Sequence, residues 1–285
     1  MLLFLEEGEI MGMVAVSVGD CVNLNVLQGR VHTAFREVLN CEIDNSIVSI
    51  VTPSIGSGPN NIVVNRDDFD SFGDVQSNFD FSSINFNGAK VFDSRIALSN
   101  FDYQEFLSNL NLFERIVIKE GSPLSCAFIL DKRRNNFFIT PFERNLRDRL
   151  RDSYHKFMSG SIEEVNNLKG VGYGLTPQGD DLISGTLVAI YMYGLVKQID
   201  TDKIRNEIYN LAKGENEISN TFLFYASQGR VYEKFKNLLE ALISDRNKIY
   251  SSAMRFLDIG ETSGADLSTG FIISMKKLFE GGLPW

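Results

Sequence analysis

The hydrophobic residues of this 285-residue chain change their period near its middle, and that change limits the folds open to it. From about Met13 to Ser94 apolar residues alternate with polar ones or form short β-branched runs: Val14–Val18, Val22–Val26, Ile47–Val51 and Ile62–Val64. A period of two turns alternate side chains to one face, so these runs predict strands. Turn residues at Gly19-Asp20, Gly29, Gly56–Pro59 and Asn87-Gly88 divide them. Between them, His32–Leu39 predicts one short helix, while 66–86 is polar and carries no clear period. After Pro141 the period becomes helical. Phe142, Leu146, Leu150, Tyr154 and Phe157 fall close to one face. Further helices are predicted at Leu182–Tyr193, Lys203–Ala212, Ile218–Ala226, Val231–Ile243, Lys248–Leu257 and Leu267–Phe279. The stretch 101–130 is ambiguous, with Ile116–Ile118 and Cys126–Leu130 as candidate strands. The expected class is α+β: a β-rich part over residues 1–130 and a helical part over 131–285.

Composition narrows the functional classes. A hydrophobic fraction of 44% and a charged fraction of 23% belong to an ordinary folded protein, not a disordered one. A net charge of −9 argues against nucleic acid as a partner, because phosphate neutralisation needs a broad basic surface. One basic stretch stands out: Lys132, Arg133, Arg134, Arg144, Arg147, Arg149, Arg151 and Lys156. The plainer reading is a solvated helix face; the sharper one is a funnel for a small acidic substrate. Three sparse cysteines, Cys21, Cys41 and Cys126, form no disulfide framework and no zinc motif. The run Leu2–Leu5 meets Glu6 and Glu7 too soon for a signal sequence, and no later stretch approaches a membrane span. A cytoplasmic protein without membrane contact is expected.

Two segments share a pattern: Gly174-Leu-Thr-Pro-Gln-Gly-Asp-Asp-Leu-Ile-Ser-Gly185 and Gly260-Glu-Thr-Ser-Gly-Ala-Asp-Leu-Ser-Thr-Gly270. They align at Gly179/Gly264, Asp181/Asp266 and Gly185/Gly270, and each leads into an apolar helix. Thr176 before Pro177, and Thr262 with Ser263, suit helix starts, since a hydroxyl caps free amides and Pro is preset for the first turn. An uncapped first turn has free N–H donors that suit an anion. Gly174, Gly179 and Gly264 allow a ligand close to the backbone, while Asp180, Asp181 and Asp266 supply acceptors. Asp181 and Gly185 lie four apart, as do Asp266 and Gly270, so each carboxylate shares a helix face with a bare glycine. If the helices pack through these glycines, Asp181 and Asp266 meet in one pocket. Converging carboxylates could hold a divalent ion such as Mg²⁺ through Asp180, Asp181 and Asp266, accept N–H bonds from an amide, or act as acid and base. Each feature also has a purely structural explanation: Asp favours a helix start, and Gly favours helix contact.

Few other candidates exist. His32 and His155 are the only histidines, so a histidine-rich metal site is excluded. His32 stands as a candidate catalytic group beside the plainer reading of a structural histidine. Ser219 and Thr221 are near a predicted helix start and could line the pocket.

The segment Gly172–Gly185 resembles the G-x-G-L-T-P-S-G-D-D-x-x-x-G signature of a family that includes the AllH-type subunit of bacterial oxamate carbamoyltransferase. Weaker matches are Gly29–Phe35, Gly58-Pro59, Ile218–Thr221 with Gly229-Arg230, and Thr262–Gly264; Gln178 stands where Ser is usual. The resemblance implies a subunit working with other transferase subunits in allantoin and purine-nitrogen breakdown, where oxalurate and phosphate become oxamate and carbamoyl phosphate. Asp181 or Asp266 would then accept from a carbamoyl NH₂. Two alternatives remain: a stand-alone metal- or phosphate-dependent enzyme on another small acid, and a non-catalytic structural subunit.

Overall fold

The computed structural model describes residues 13–25, 28–43, 46–71, 77–98 and 101–285. The chain forms two compact units, Met1–Asp93 and Ser94–Trp285.

The N-terminal unit holds β1 (Met13–Gly19), β2 (Gln28–Ala34), β3 (Val38–Ile43), β4 (Ser46–Val51), β5 (Asn61–Val64), the short α1 (Arg66–Asp70), β6 (Asn78–Asp80), β7 (Ile84–Asn85) and β8 (Lys90–Phe92). They form one mixed sheet in the order β6-β2-β3-β4-β5-β1-β7, with β8 also pairing β1. The β2-β3 and β3-β4 pairs are antiparallel hairpins, whereas β4-β5, β1-β7 and β1-β8 run parallel. Alternate side chains from the strands, among them Val18, Leu39, Cys41, Ile50, Ile62 and Val64, meet Phe69, Phe79 and Phe81 in a separate apolar core.

Two sequence expectations fail in this unit. The helix at His32–Leu39 is absent: β2 runs to Ala34, and β3 starts at Val38 after a tight turn closed by the Phe35 N–H on the Val38 carbonyl. Its apolar spacing also fits a helix, but pairing Leu39 with Ile50 and Cys41 with Val48 buries those side chains in the sheet core. Of the Val22–Val26 strand, residues 22–25 form an irregular turn, where Asn23 Oδ1 accepts the Asn25 N–H and diverts the backbone from a ladder. Val26 lies outside the described residues.

The C-terminal unit contains α2 (Tyr103–Glu120), α3 (Pro141–Phe157), α4 (Val165–Leu168), α5 (Gln178–Lys197), α6 (Asp202–Ala212), α7 (Glu217–Ser227), α8 (Glu233–Ser244), α9 (Ile249–Leu257) and α10 (Ser263–Gly281). Every helix expected after Pro141 is present. The expected boundary at 130 differs from the observed division at 93/94. Instead of strands, 101–130 carries α2, capped by Asp102 on the Glu105 N–H, and a 3₁₀ turn at Cys126–Ile129. Phe106, Leu110, Phe113 and Val117 repeat at intervals of three and four residues and enter the helical core. Helix α3 starts with a capping box between Thr140 and Glu143, with Pro141 in its first turn.

Helix α5 is the spine of this unit. It is buried on nearly every side from Gln178 to Gly194, as a helix apolar all round must be. Its main neighbour is α10, and the two touch at backbone level. A methyl placed on Gly185 would lie 2.1 Å from the Leu267 carbonyl oxygen, and one on Gly270 would lie 2.2 Å from that of Leu182. The numbers are related by a swap: residue 185 faces 267 as residue 270 faces 182. Such reciprocal contacts are those of a local two-fold arrangement. Among the described residues, no helix is long and apolar enough to cross a membrane.

Candidate functional site

Both Gly/Asp helices begin against the end of an earlier helix. A methyl on Gly179 would lie 1.9 Å from the Leu168 carbonyl oxygen, and one on Gly264 would lie 2.3 Å from that of Phe256. With Gly185 and Gly270 fixing the crossing, the first turns of α5 and α10 are brought together. Thr176 Oγ1 and Ser263 Oγ are 2.9 Å apart, and Thr176 also donates to Asp181 Oδ2 at 3.3 Å. The backbone route to this point is a loop of left-handed glycines. Gly172, at φ +129°, passes so close to Gln178 that any side chain would strike its amide nitrogen.

The helix starts differ from expectation. Pro177 is the residue flanking α5, not a member of its first turn, and Thr176 caps no amide. Thr262 flanks α10 without a side-chain cap. Most of the donors expected for an anion are already engaged. The N–H groups of Asp180 and Asp181 bond to the Pro177 carbonyl, and that of Gly179 bonds to Val171. In the second helix, Ala265 and Asp266 bond to Thr262, and Gly264 to Ile259. Short turns at each start thus use up three of the first-turn amides of each helix that a phosphate would have drawn on.

What the two helix starts present instead is acceptor chemistry. Asp266 is fully buried, and its Oδ1 accepts the Cys126 N–H at 2.5 Å. No hydrogen bond of normal geometry reaches its Oδ2. Gln178, equally buried, donates through Nε2 to the Leu124 carbonyl at 2.8 Å, leaving Oε1 without a partner. The strand of backbone that supplies Leu124 and Cys126 is held by Arg134. Its guanidinium donates to the carbonyls of Ile118, Gly121 and Ser122 at the end of α2.

The electrostatics follow from burial. Asp181 is held well above the usual carboxylate range, first by burial and then by the charge of Asp266, against hydrogen-bonding help from Ser263 and Thr176. Burial raises Asp266 to about 7, opposed by the Cys126 amide and by polar groups of Thr262, Cys126 and Gln178. The pair therefore retains a proton at a pH where exposed carboxylates have lost theirs. The Cys126 thiol is pushed up by burial and by both carboxylates, so it stays a thiol and is a poor nucleophile at neutral pH.

Asp180 points elsewhere. Its Oδ1 accepts the Gly170 N–H at 2.7 Å, and burial raises its pKa, with Ser219 and Lys169 working the other way. Among the described residues no group of three or more His, Cys, Asp or Glu gathers as metal ligands do, so the set Asp180, Asp181 and Asp266 is not assembled as one cluster. Ser219 is buried in the first turn of α7, where Asn216 accepts its N–H and also donates to the Leu175 carbonyl. Thr221 is turned back to the Glu217 carbonyl, and Gly174 sits at an open, exposed tip. His32 is half-buried on β2 of the N-terminal unit, and His155 is exposed on α3. In the basic stretch, Arg133, Arg147, Arg151 and Lys156 pair with nearby carboxylates and Arg134 binds carbonyls, which suits the plain reading of a solvated face.

Sequence reasoning missed Cys126, the Leu124 carbonyl and Asn216. Two of them act through backbone groups, for which no side chain leaves a signal. Gln178 was visible only as a departure from the expected Ser.

Comparison with known families gives two matches. The model described as oxamate carbamoyltransferase subunit AllH matches residues 168–275, a span that holds both Gly/Asp helix starts. The AllH family N-terminal domain matches residues 15–99, which carry the sheet. No solved structure matches the chain. Together the two family matches cover most of the chain, and the protein belongs to the AllH family of oxamate carbamoyltransferase subunits.

Proposed function

We propose that this chain works inside a multi-subunit carbamoyltransferase and contributes the pocket at Asp181 and Asp266 to handling a small carbamoyl compound. The observation that carries this reading is the convergence of two buried carboxylates at paired helix starts, with Asp266 Oδ2 unsatisfied. Burying acceptors without donors costs on the order of 1–3 kcal/mol for each group, and a ligand can recover that cost. The substrates we favour are oxalurate and phosphate, converted to oxamate and carbamoyl phosphate in allantoin and purine-nitrogen breakdown. This fits a cytoplasmic subunit that needs its partners for transfer.

The test is reconstitution with the other subunits of the complex, following carbamoyl phosphate formation from oxalurate. Asp181→Asn and Asp266→Asn are each expected to lower turnover by about tenfold or more while the complex still assembles. Unchanged turnover in both would remove the pocket from the reaction. A second reading, a structural subunit without a site, draws support from the close packing of Gly179, Gly185, Gly264 and Gly270, which explains those glycines without a ligand. It expects assembly to fail, and not turnover of the assembled complex, when these positions are changed.

A further inference from the structure

The meeting point of the two helix starts has an unusual imbalance of donors and acceptors. Among the described residues no hydrogen bond of normal geometry reaches Asp266 Oδ2 or Gln178 Oε1, both on fully buried side chains, although polar groups of Thr262, Cys126 and Gln178 lie near enough to Asp266 to favour its charged form. Six first-turn amides that could have served as donors, those of Gly179, Asp180, Asp181, Gly264, Ala265 and Asp266, are bonded within the chain. Among the described residues no cationic side chain contributes to the balance at Asp181 or Asp266; Lys169 acts on Asp180 alone among the three. A phosphate or carboxylate placed here would meet like charge and open acceptors. A neutral NH₂ group carries two N–H donors and no charge, which is the complement of what the pocket lacks.

We infer that this pocket recognises the NH₂ end of a primary amide through Asp266 Oδ2 and Gln178 Oε1, and rejects the matching carboxylate. The inference rests on the reading above that the site handles a carbamoyl compound, and it says which end enters. The anionic end of such a ligand lies outside these acceptors, where a cation from elsewhere must meet it. The glycine loop 170–176 packs against the helix starts. Beyond its contacts with the helix starts, this loop is tied down by Asn216 on the Leu175 carbonyl and by the Thr176–Ser263 hydroxyl pair.

The preference has a specific chemical handle. Asp266 Oδ1 already accepts the Cys126 N–H. In Asp266→Asn the amide oxygen can keep that bond, which turns the new Nδ2 donor toward the pocket. The variant should therefore change the sign of the discrimination and not simply weaken it.

Ligand-observed NMR on the full chain, at pH 7.5, can compare two matched pairs of probes: acetamide with acetate, and oxamate with oxalate. The wild type is expected to bind each amide about tenfold more tightly than its carboxylate, the size of one well-made hydrogen-bond difference. Asp266→Asn should remove or invert that ratio. Gln178→Met, which keeps length and burial but loses Oε1 together with the Nε2 bond to the Leu124 carbonyl, should reduce it several-fold, and it carries the test if the Asn variant does not fold. Binding of acetate or oxalate at least as tight as the amides overturns the inference, as does preference for methylammonium over acetamide. Absence of binding by every probe also overturns it, leaving Asp181 and Asp266 as a closed pair that shares a proton. Transfer activity is read separately in the reconstituted complex. An amide preference with no effect of Asp181→Asn or Asp266→Asn on turnover would sink the functional reading and leave this one standing.

Discussion

The two Gly/Asp helix starts are alike in backbone and unlike in chemistry. Gly179 and Gly264 each press on a preceding helix end, and Gly185 and Gly270 each press on the partner helix. The carboxylates four residues before the crossing then diverge. Asp181 faces hydroxyls of Thr176 and Ser263, groups that turn freely and lie at the half-buried rim. Asp266 faces a fixed backbone N–H from a segment 140 residues earlier, and among the described residues no hydrogen bond of normal geometry reaches its second oxygen. The positions after the flanking residues differ too: Gln178 in one helix, Ser263 in the other. Repetition in the glycines thus serves packing, and the departures from it make the pocket asymmetric.

The packing half of this comparison is exposed to the harshest test. Gly185→Ala and Gly270→Ala each drive a methyl into an opposing carbonyl in a close-packed interior, where neither helix can yield alone. Each is expected to cost about 3 kcal/mol or more, read from urea unfolding midpoints of the chain. Because the contacts are reciprocal, the two losses should be similar. A tolerated change at one position beside a severe one at the other would break the two-fold description.

A smaller effect separates the carboxylates. An unfolded Asp ionises near 3.8, whereas folded Asp266 holds its proton to about 7 and folded Asp181 is also raised. Below pH 3.8 both states are protonated and the burial carries no ionic penalty. As pH rises from there toward 7, the unfolded chain releases a proton that the folded chain keeps, so this contribution to stability falls. Asp266→Asn removes that slope. Relative to wild type, the variant should gain about 2 kcal/mol between pH 5 and 7, allowing for relaxation around the buried group. The measurement is the pair of unfolding curves at the two pH values. A variant that instead loses ground as pH rises would mean that Asp266 ionises easily and is not the acid described.

How much of this was legible before the structure depends on what kind of group does the work. The four-residue spacing of Asp181 with Gly185 and Asp266 with Gly270 is a matter of helix periodicity, and it placed the crossing and the meeting of carboxylates. Helix α5 was legible from its apolar run. The capping by Thr176 was misread because the helix starts after Pro177, whose carbonyl takes the first amides. The hairpin at His32–Leu39 was misread because its apolar spacing suits a helix as well as paired strands. The Cys126 N–H was invisible, since every residue but proline has one and only the fold brings this one to Asp266. Gln178 was visible as an oddity, but its meaning needed the Leu124 carbonyl beside it.

The smallest expected effect is also the one that probes the asymmetry most directly. Thr176 and Ser263 join the two starts through one hydroxyl pair, and both favour the charged form of Asp181, not of Asp266. Thr176→Val and Ser263→Ala should each cost about 1 kcal/mol, and less than the sum when combined, because either change breaks the same bond. Both should raise the Asp181 pKa further, since the hydroxyls that support its charged form are gone while its burial remains. Asp266 should respond less, through the charge of its neighbour alone. Carboxyl-carbon NMR titration of the single and double variants reads the two acids separately. Equal movement of both would mean that the hydroxyls act on the pair as a whole, and the division between a rim acid with mobile partners and a core acid with a fixed one would have to be given up.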